Sequence, residues 1–373
     1  MQITYTDHRQ DPAAWARELG IARETIDLYL ASEIVDLHID SFIWNRVFGY
    51  DVRKRHGQGL LGGRFYSQAD IPRLREANIA GGLWSITTNP LRSSNGRAEV
   101  FARNVKKLVS ILETVPNDVA VARNLPEYLA ARKKGLHVAM LSIQGGNALD
   151  RDKDVLDVIT DDLIVRITLV HLSTSTLGST SAPSVGKRVK DGLTSFGKDY
   201  VKRLNDRRIL VDLAHINRAG FFDAVAVHDK SQPLIVTHTG INAVTDHWRN
   251  LDDEQIKTIA DSGGTIGIMY QSPFLGGPLL GCKSVRVVEH MEHVIKVVGD
   301  DYVSLGSDWD GAIIPPADMP TCLELPKLVQ HMVDRKWKPE RIEKILSKNF
   351  LRVLGHIRGT QSVAAKSSRA VGV

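Results

Sequence analysis

Residues 33–40 read "EIVDLHID", a short apolar run interrupted by ionisable residues where a purely structural strand would continue with Val or Ile. In an extended strand, side chains two apart share a face, so His38 and Asp40 point to one side while Leu37 and Ile39 point to the other. Seven further runs of this kind follow: "AGGLWSITT" (80–88), "HVAMLSIQGG" (137–146), "LIVRITLVH" (163–171), "ILVDLAHI" (209–216), "PLIVTHTG" (233–240), "GTIGIMYQ" (264–271) and "YVSLGSDWD" (302–310). Between them lie polar loops and stretches with helical spacing. Clear cases are "AEVFARNVKKLVSILETV" (98–115), "PERIEKILSKNFLRVLG" (339–355) and "DDEQIKTIADSGG" (252–264), the last with Asp at a capping position and glycine at its stop. Alternation of strand and helix predicts parallel β/α units, and eight units predict an α/β fold closed as a (β/α)8 TIM-like barrel.

The remaining composition is consistent with one such domain. The chain has 373 residues, 43% hydrophobic and 24% charged, enough to bury a large core without crosslinks. We expect an N-terminal helical extension over 1–32, the barrel over 33–356, and a flexible tail over 357–373 that ends in the small, polar "GTQSVAAKSSRAVGV". The net charge of +5 is spread along the chain, and the one basic cluster, "DVRKRHGQG" at 51–59, reads as a solvated loop, so no nucleic-acid partner is expected. Cys282 and Cys322 are too few for a disulfide framework and sit in no metal-binding spacing. No secretory signal and no apolar stretch long enough to span a bilayer is legible, which leads to the expectation of a cytoplasmic protein with no membrane partner.

The ionisable residues form a second pattern. His38, Asp40, His171, His215, His238 and Asp308, and with them the polar Gln144, all fall near the C-terminal ends of the runs. In a barrel, groups from different strands meet at that rim. Burying so many ionisable groups in one mouth costs several kcal/mol each unless a cation or partner compensates. Histidines and carboxylates gathered there suit Zn2+ or a similar ion. By contrast, His290 and His293 in "EHMEHVIKVV" lie on a predicted helix and read as packing or surface residues. His247 is near the site in sequence without a role that its spacing assigns.

The ordered set "VDLHID", "LVHLSTSTLG", "GLTSFGKDYVKRLNDRRILVDLAHIN", "LIVTHTGINAVTDHWRN" and "VSLGSDWDG…KILSKNFLRVL" resembles the zinc membrane dipeptidase (renal dipeptidase) family of the amidohydrolase superfamily, over about residues 33–356. The resemblance implies a metal-dependent hydrolase of the amide bond of a dipeptide or similar small carboxylated amide, and a homodimer. It implies metal ligation by His38, Asp40, His215 and His238 with the residue at 144 as bridge. His171 is implied to polarise the scissile carbonyl, Asp308 to move the proton, and Arg249 to pair with the substrate carboxylate. Tyr270 is a further substrate-binding candidate, in a strand whose usual aromatic pair is shifted.

The chain departs from the family at the centre of this site. Where the family has "EGG" followed by His, it reads "QGGN", with Gln144 in the bridging position and Asn147 for the His. A carboxylate can give one oxygen to each of two cations, whereas an amide has one neutral oxygen and an NH2 that faces a second cation unfavourably. We therefore expect one tightly held Zn2+, or two at much reduced affinity, with one favoured and the position of His38 and Asp40 preferred for it. The alternative is a catalytically impaired or non-hydrolytic member that binds a small carboxylated metabolite.

Overall fold

The computed structural model describes residues 2–89, 96–150, 156, 159–183 and 191–359. Nine strands make one sheet: β1 (Val35–Ile39), β2 (Gly81–Thr87), β3 (Val119–Val121), β4 (His137–Gln144), β5 (Ile164–Thr168), β6 (Leu210–Asp212), β7 (Ile235–Thr239), β8 (Thr265–Ile268) and β9 (Val303–Leu305). All pairings are parallel, in the cyclic order β1–β2–β4–β5–β6–β7–β8–β9 and back to β1. The closed eight-stranded barrel predicted from the runs is present. β3 is the addition: it pairs with residues 137–139 of β4, below the segment 141–144 that pairs with β5. Three residues of "VAV" are too short to separate from a loop by periodicity.

Long helices follow several strands, with caps that the local sequence explains. Asp252 accepts from the amide of Gln255, whose side chain returns the bond, so Asp253–Asp261 begins with a full capping box. The predicted helix at 339–355 is α-helical over Pro339–Glu343 and Asn349–Arg358, with a π turn over Lys344–Lys348 between them. Just beyond that turn, Asn349 donates to the carbonyls of Asp300 and Val303, tying the helix to the start of β9. Ahead of the barrel run helices Pro12–Leu19 and Arg23–Ala31, and Thr25 donates to Gln330 of helix Pro326–Asp334 at 2.7 Å. The helix through Arg358 runs into the expected tail, whose residues from 360 lie outside the described residues.

The strands are buried on both faces, as an enclosed parallel barrel requires. Val35, Leu37 and Val165 share an apolar cluster with Phe350, Val353, Leu354 and Ile357 of the outer helix. Alternation then leaves Asp36, His38 and Arg166 for the interior. Among the described residues, no helix is long and apolar enough to cross a membrane.

Candidate metal centre

The barrel brings the ionisable residues to one end. His38 and His238 lie within β1 and β7, Asp40 directly follows β1, and Gln144 closes β4. His171, His215 and Asp308 sit three residues beyond their strands, in turns that sequence alone places within the apolar runs. His215 (φ 64°) and Asp308 (φ 62°) adopt the left-handed conformation, which a non-glycine residue holds at a cost of about 1–3 kcal/mol and which is common at functional sites. A cavity of about 570 Å³ opens above them, with Asp40, Gln144, His171, His215 and Asp308 on its wall. His38 and His238 lie fully buried behind that wall.

The donor atoms face one another at close range. One ligand atom from each of His38, His238 and Asp308 falls within 4.8 Å of the others. His38 Nε2 lies 3.3 Å from Asp40 and 3.6 Å from Asp308, and His215 Nε2 lies 2.8 Å from His238 Nε2. His38 Nε2 and Asp308 Oδ1 are buried without a hydrogen-bond partner. An unpaired imidazole nitrogen and an unpaired carboxylate oxygen, out of water and beside further imidazole nitrogens, form a donor set that fits a divalent cation.

Gln144 stands in the middle of this set. Its Nε2 is 3.1 Å from His215 Nε2 and 3.3 Å from His238 Nε2, so the neutral amide bridges the two histidines. Its Oε1 lies 3.1 Å from Thr87 Oγ1, which is also 2.6 Å from Asp40 Oδ1. A hydroxyl has one proton, and the shorter, charge-assisted bond to Asp40 takes it. Thr87 therefore has only a lone pair to offer Gln144, which the amide satisfies when its NH2 turns to Thr87 and its oxygen to the histidines. That is also the orientation in which the amide would suit a cation.

Behind these side chains lies a layer that the sequence reading missed. Asp36 accepts from the amides of His38 and Ser307, joining the strand that bears His38 to the turn that bears Asp308. Asp212 accepts from the amides of Ala214 and Thr237 and from the hydroxyls of Thr168 and Thr237. Arg166, wholly buried, donates to the carbonyl of Ile143 and to His38 Nδ1 at 2.8 Å. An arginine only donates, so His38 Nδ1 accepts, and Nε2 is left aimed at the two carboxylates. The signal was present in the recurring "VDL" of residues 35–37 and 211–213 and in an arginine set within an apolar run.

Electrostatics divide the two acids. Burial pushes the Asp308 carboxyl well above the usual range, and the neighbouring Asp40 adds to it. Burial would raise Asp40 as well, but the neighbouring His38 and the bond from Thr87 outweigh that and hold it low. Desolvation lowers His171 to about 4 and holds His215 and His238 well below their ordinary value. The site thus offers one ionised acid, one protonatable acid and neutral imidazoles, the state that metal ligation needs.

The two substrate-binding candidates stand differently. Arg249 is buried, donates to the His238 carbonyl at 2.6 Å and keeps an unpartnered Nε. Tyr270 is buried against Trp309, its hydroxyl also unpartnered. Neither is on the cavity wall, which Trp248, Met269 and Gln271 form beside them. His247 packs at a tilt against Phe274, with ring centroids 4.2 Å apart, and backs this wall. His290 is structural, accepting from the Ile241 amide, and His293 pairs with Asp253.

A closed (β/α)8 barrel with carboxylates and imidazoles converging at the C-terminal mouth places its ionisable groups where this fold carries its chemistry. The model of one family, membrane dipeptidase (peptidase family M19), matches residues 22–368, and the chain belongs to that family. A curated relative from Klebsiella pneumoniae, described as an uncharacterized protein in the pqqA 5' region, is 32% identical over 169 residues, 44% of this chain. The chain spans only 61% of that relative's length. Among solved structures, the probable dipeptidase PvdM from Pseudomonas aeruginosa is 17% identical with a TM-score of 0.79, covering 92% of this chain and 99% of its own. A metallo peptidase from Rhodobacter sphaeroides, liganded with a phosphinate mimic of L-Ala-D-Ala, is 24% identical with a TM-score of 0.76, covering 87% and 99%. At these identities the structural likeness is one of fold.

Proposed function

We propose that this protein is a metal-dependent hydrolase of the amide bond in a dipeptide or similar small carboxylated amide. The observation that carries this reading is the gathering of His38, His238 and Asp308 donor atoms within 4.8 Å of one another, with His38 Nε2 and Asp308 Oδ1 unpaired, beside a cavity walled by Asp40, His215 and Asp308. Membership of the dipeptidase family and the dipeptide mimic bound by the Rhodobacter relative support the substrate class. His38 and Asp40 would hold the principal Zn2+, with His215, His238 and the oxygen of Gln144 available as further ligands. When bound, such an ion polarises an amide carbonyl and lowers the pKa of water towards neutrality.

The chain's own groups supply the rest. Asp308, raised by burial, accepts a proton and passes it to the leaving amine. His171, on the cavity wall and neutral, donates to the carbonyl oxygen as charge develops there. The orphaned Nε of Arg249 and hydroxyl of Tyr270 suit the substrate's terminal carboxylate. The expected homodimer and cytoplasmic placement complete the reading; light scattering on the purified protein checks the first.

A second reading follows from one contact. Gln144 hydrogen-bonds His215 and His238 in place of a bridging charge, which favours a family member that binds a carboxylated metabolite without cleaving it. Titrating Zn2+ or Mn2+ into metal-stripped protein while following hydrolysis of a dipeptide panel separates the two. Turnover that saturates with metal supports the hydrolase, and no turnover of any dipeptide at any metal level defeats it.

A further inference from the structure

The cavity wall changes character across the barrel mouth. In the cyclic strand order β2 and β7 stand opposite each other, with β4, β5 and β6 between them one way round and β8, β9 and β1 the other. Arg249, suited above to the substrate's terminal carboxylate, follows β7. On the side of β2 the wall is an apolar sector: Ile86 from β2 itself, Val100 and Phe101 from helix Arg97–Glu113, and Ile43 and Val47 from helix Phe42–Phe48. The cavity-facing residues of each helix recur at helical spacing, so each helix shows the cavity one stripe. The sector runs out to the rim, where Val47 is 66% exposed while still lining the cavity.

The charged groups of this wall are already engaged. Among the described residues, Asp40 and Asp308 are its only carboxylates, and in the reaction proposed above Asp40 serves the metal and Asp308 the proton. Arg46 donates to the Thr87 carbonyl at 2.9 Å, and Arg97 pairs with buried Asp150 at 3.7 Å. Satisfied in this way, the two arginines call for no anion, and they offer nothing to an ammonium. A free dipeptide carries an ammonium on the carbon next to its scissile carbonyl. With its carboxylate held on the β7 side, it would turn that half, ammonium included, towards the apolar sector, and a charge taken out of water there without a partner is strongly disfavoured.

We propose that the acyl half of the substrate is uncharged and apolar, so that the preferred substrate is an amino acid N-acylated by a bulky hydrocarbon or arylalkyl group rather than a dipeptide with a free ammonium. The inference rests on the amide-hydrolase reading and narrows its substrate class. Hydrolysis adds water across the C–N bond and releases the carboxylate of the acyl group and the free amino acid, whose amine takes its proton from Asp308. Ile86, Val100 and Phe101 bury the acyl chain, and Ile43 and Val47 cover it towards the rim. The cavity volume of about 570 Å³ lies in the range that holds a ligand of that bulk.

The test pairs compounds that differ only in the amine: hydrocinnamoyl-Ala against Phe-Ala, and isocaproyl-Ala against Leu-Ala, with acetyl-Ala as the small reference. kcat/KM is measured with metal-loaded wild type and with Val100→Asp, which sets a carboxylate in the sector, each checked for native circular dichroism. Val47→Asp, at an exposed position, serves if the first variant fails to fold. At neutral pH we expect the acyl compound of each pair to be preferred by at least about tenfold, and hydrocinnamoyl-Ala to exceed acetyl-Ala by at least about tenfold. The preference within a pair should fall towards one at about pH 9.5, where a dipeptide amine with an ordinary pKa near 8 is uncharged, and also in the aspartate variant, which gives the ammonium a partner. A preference near one or reversed at neutral pH, or one that neither the pH nor the variant moves, overturns the proposal while leaving amide hydrolysis standing. If neither compound of a pair is cleaved, the hydrolase reading falls instead, and calorimetric Kd values for the same pairs decide the sector on binding alone. Tighter binding of the acyl compound then supports it, and equal or tighter binding of the dipeptide overturns it.

Discussion

Changing Gln144 to Glu tests how the site balances its charge. Gln144 is 1% exposed, and Thr87 Oγ1 lies 2.6 Å from Asp40 and 3.1 Å from Gln144 Oε1. A glutamate oxygen in the same place would therefore stand within about 6 Å of Asp40, and two unit charges at that distance repel by about 3 kcal/mol at an effective dielectric near 20. Without metal, Gln144→Glu should be less stable than wild type by that amount at neutral pH, or should take up a proton to avoid the loss. With metal the sign reverses, because the added carboxylate faces His215 and His238, where a second cation gains the charge that the amide lacks. Urea unfolding with EDTA and with excess Zn2+ reads both effects, since a ligand that binds only the folded state stabilises it by RT ln(1 + [L]/Kd). The metal-induced gain should be larger in Gln144→Glu than in wild type, with a second equivalent bound per chain. An apo variant as stable as wild type, with no extra metal taken up, would refute the claim that residue 144 controls occupancy.

Asp308→Asn, which keeps the shape and removes the proton carrier, should lower kcat by about 10²–10⁴-fold in a steady-state assay while the folded state persists. Asp212→Asn weakens the clamp behind β5, β6 and β7 and should raise the Kd for Zn2+ by about 10–100-fold, measured by competition with a chelating dye. Metal binding must displace the proton that burial holds on Asp308, so the affinity should rise with pH, by about tenfold per unit while that proton is released. Stability should also depend on pH through two histidines away from the site. Burial lowers His137 to about 3 and His290 to about 4. Their neutral forms contribute fully above the unfolded value near 6.5, and the contribution is lost as pH falls towards the folded values, at up to about 1.4 kcal/mol per unit for each. Urea melts at pH 7 and pH 5 should show a smaller loss for His137→Gln than for wild type, and an equal loss would contradict the assignment.

The barrel was legible because each core strand is an apolar run bounded by polar loops, a signal that survives without tertiary information. β3 was not, being three residues docked beside the start of β4. At the site, sequence showed which strands carry imidazoles and acids, since a His or Asp in such a run conflicts with burial. It could not show the turns past the strands that carry His215 and Asp308, because left-handed backbone at non-glycine positions is imposed by the surroundings. Nor could it show Thr87, which reads as an ordinary β-branched strand residue until its hydroxyl is seen between Asp40 and Gln144. Asp36, Arg166 and Asp212 were visible as charges in apolar runs, yet only the barrel shows that they face the ligands from behind.

The central claim is that distant imidazoles and carboxylates of this chain together hold a divalent cation. Its most direct test is elemental analysis of protein purified without added metal and then equilibrated with one equivalent of Zn2+, for wild type and for the double variant His38→Ala, Asp40→Ala. Close to one ion per chain in wild type, and a clear loss in the double variant, is the predicted result. No retained ion in wild type, or undiminished retention when both residues are gone, would contradict the account.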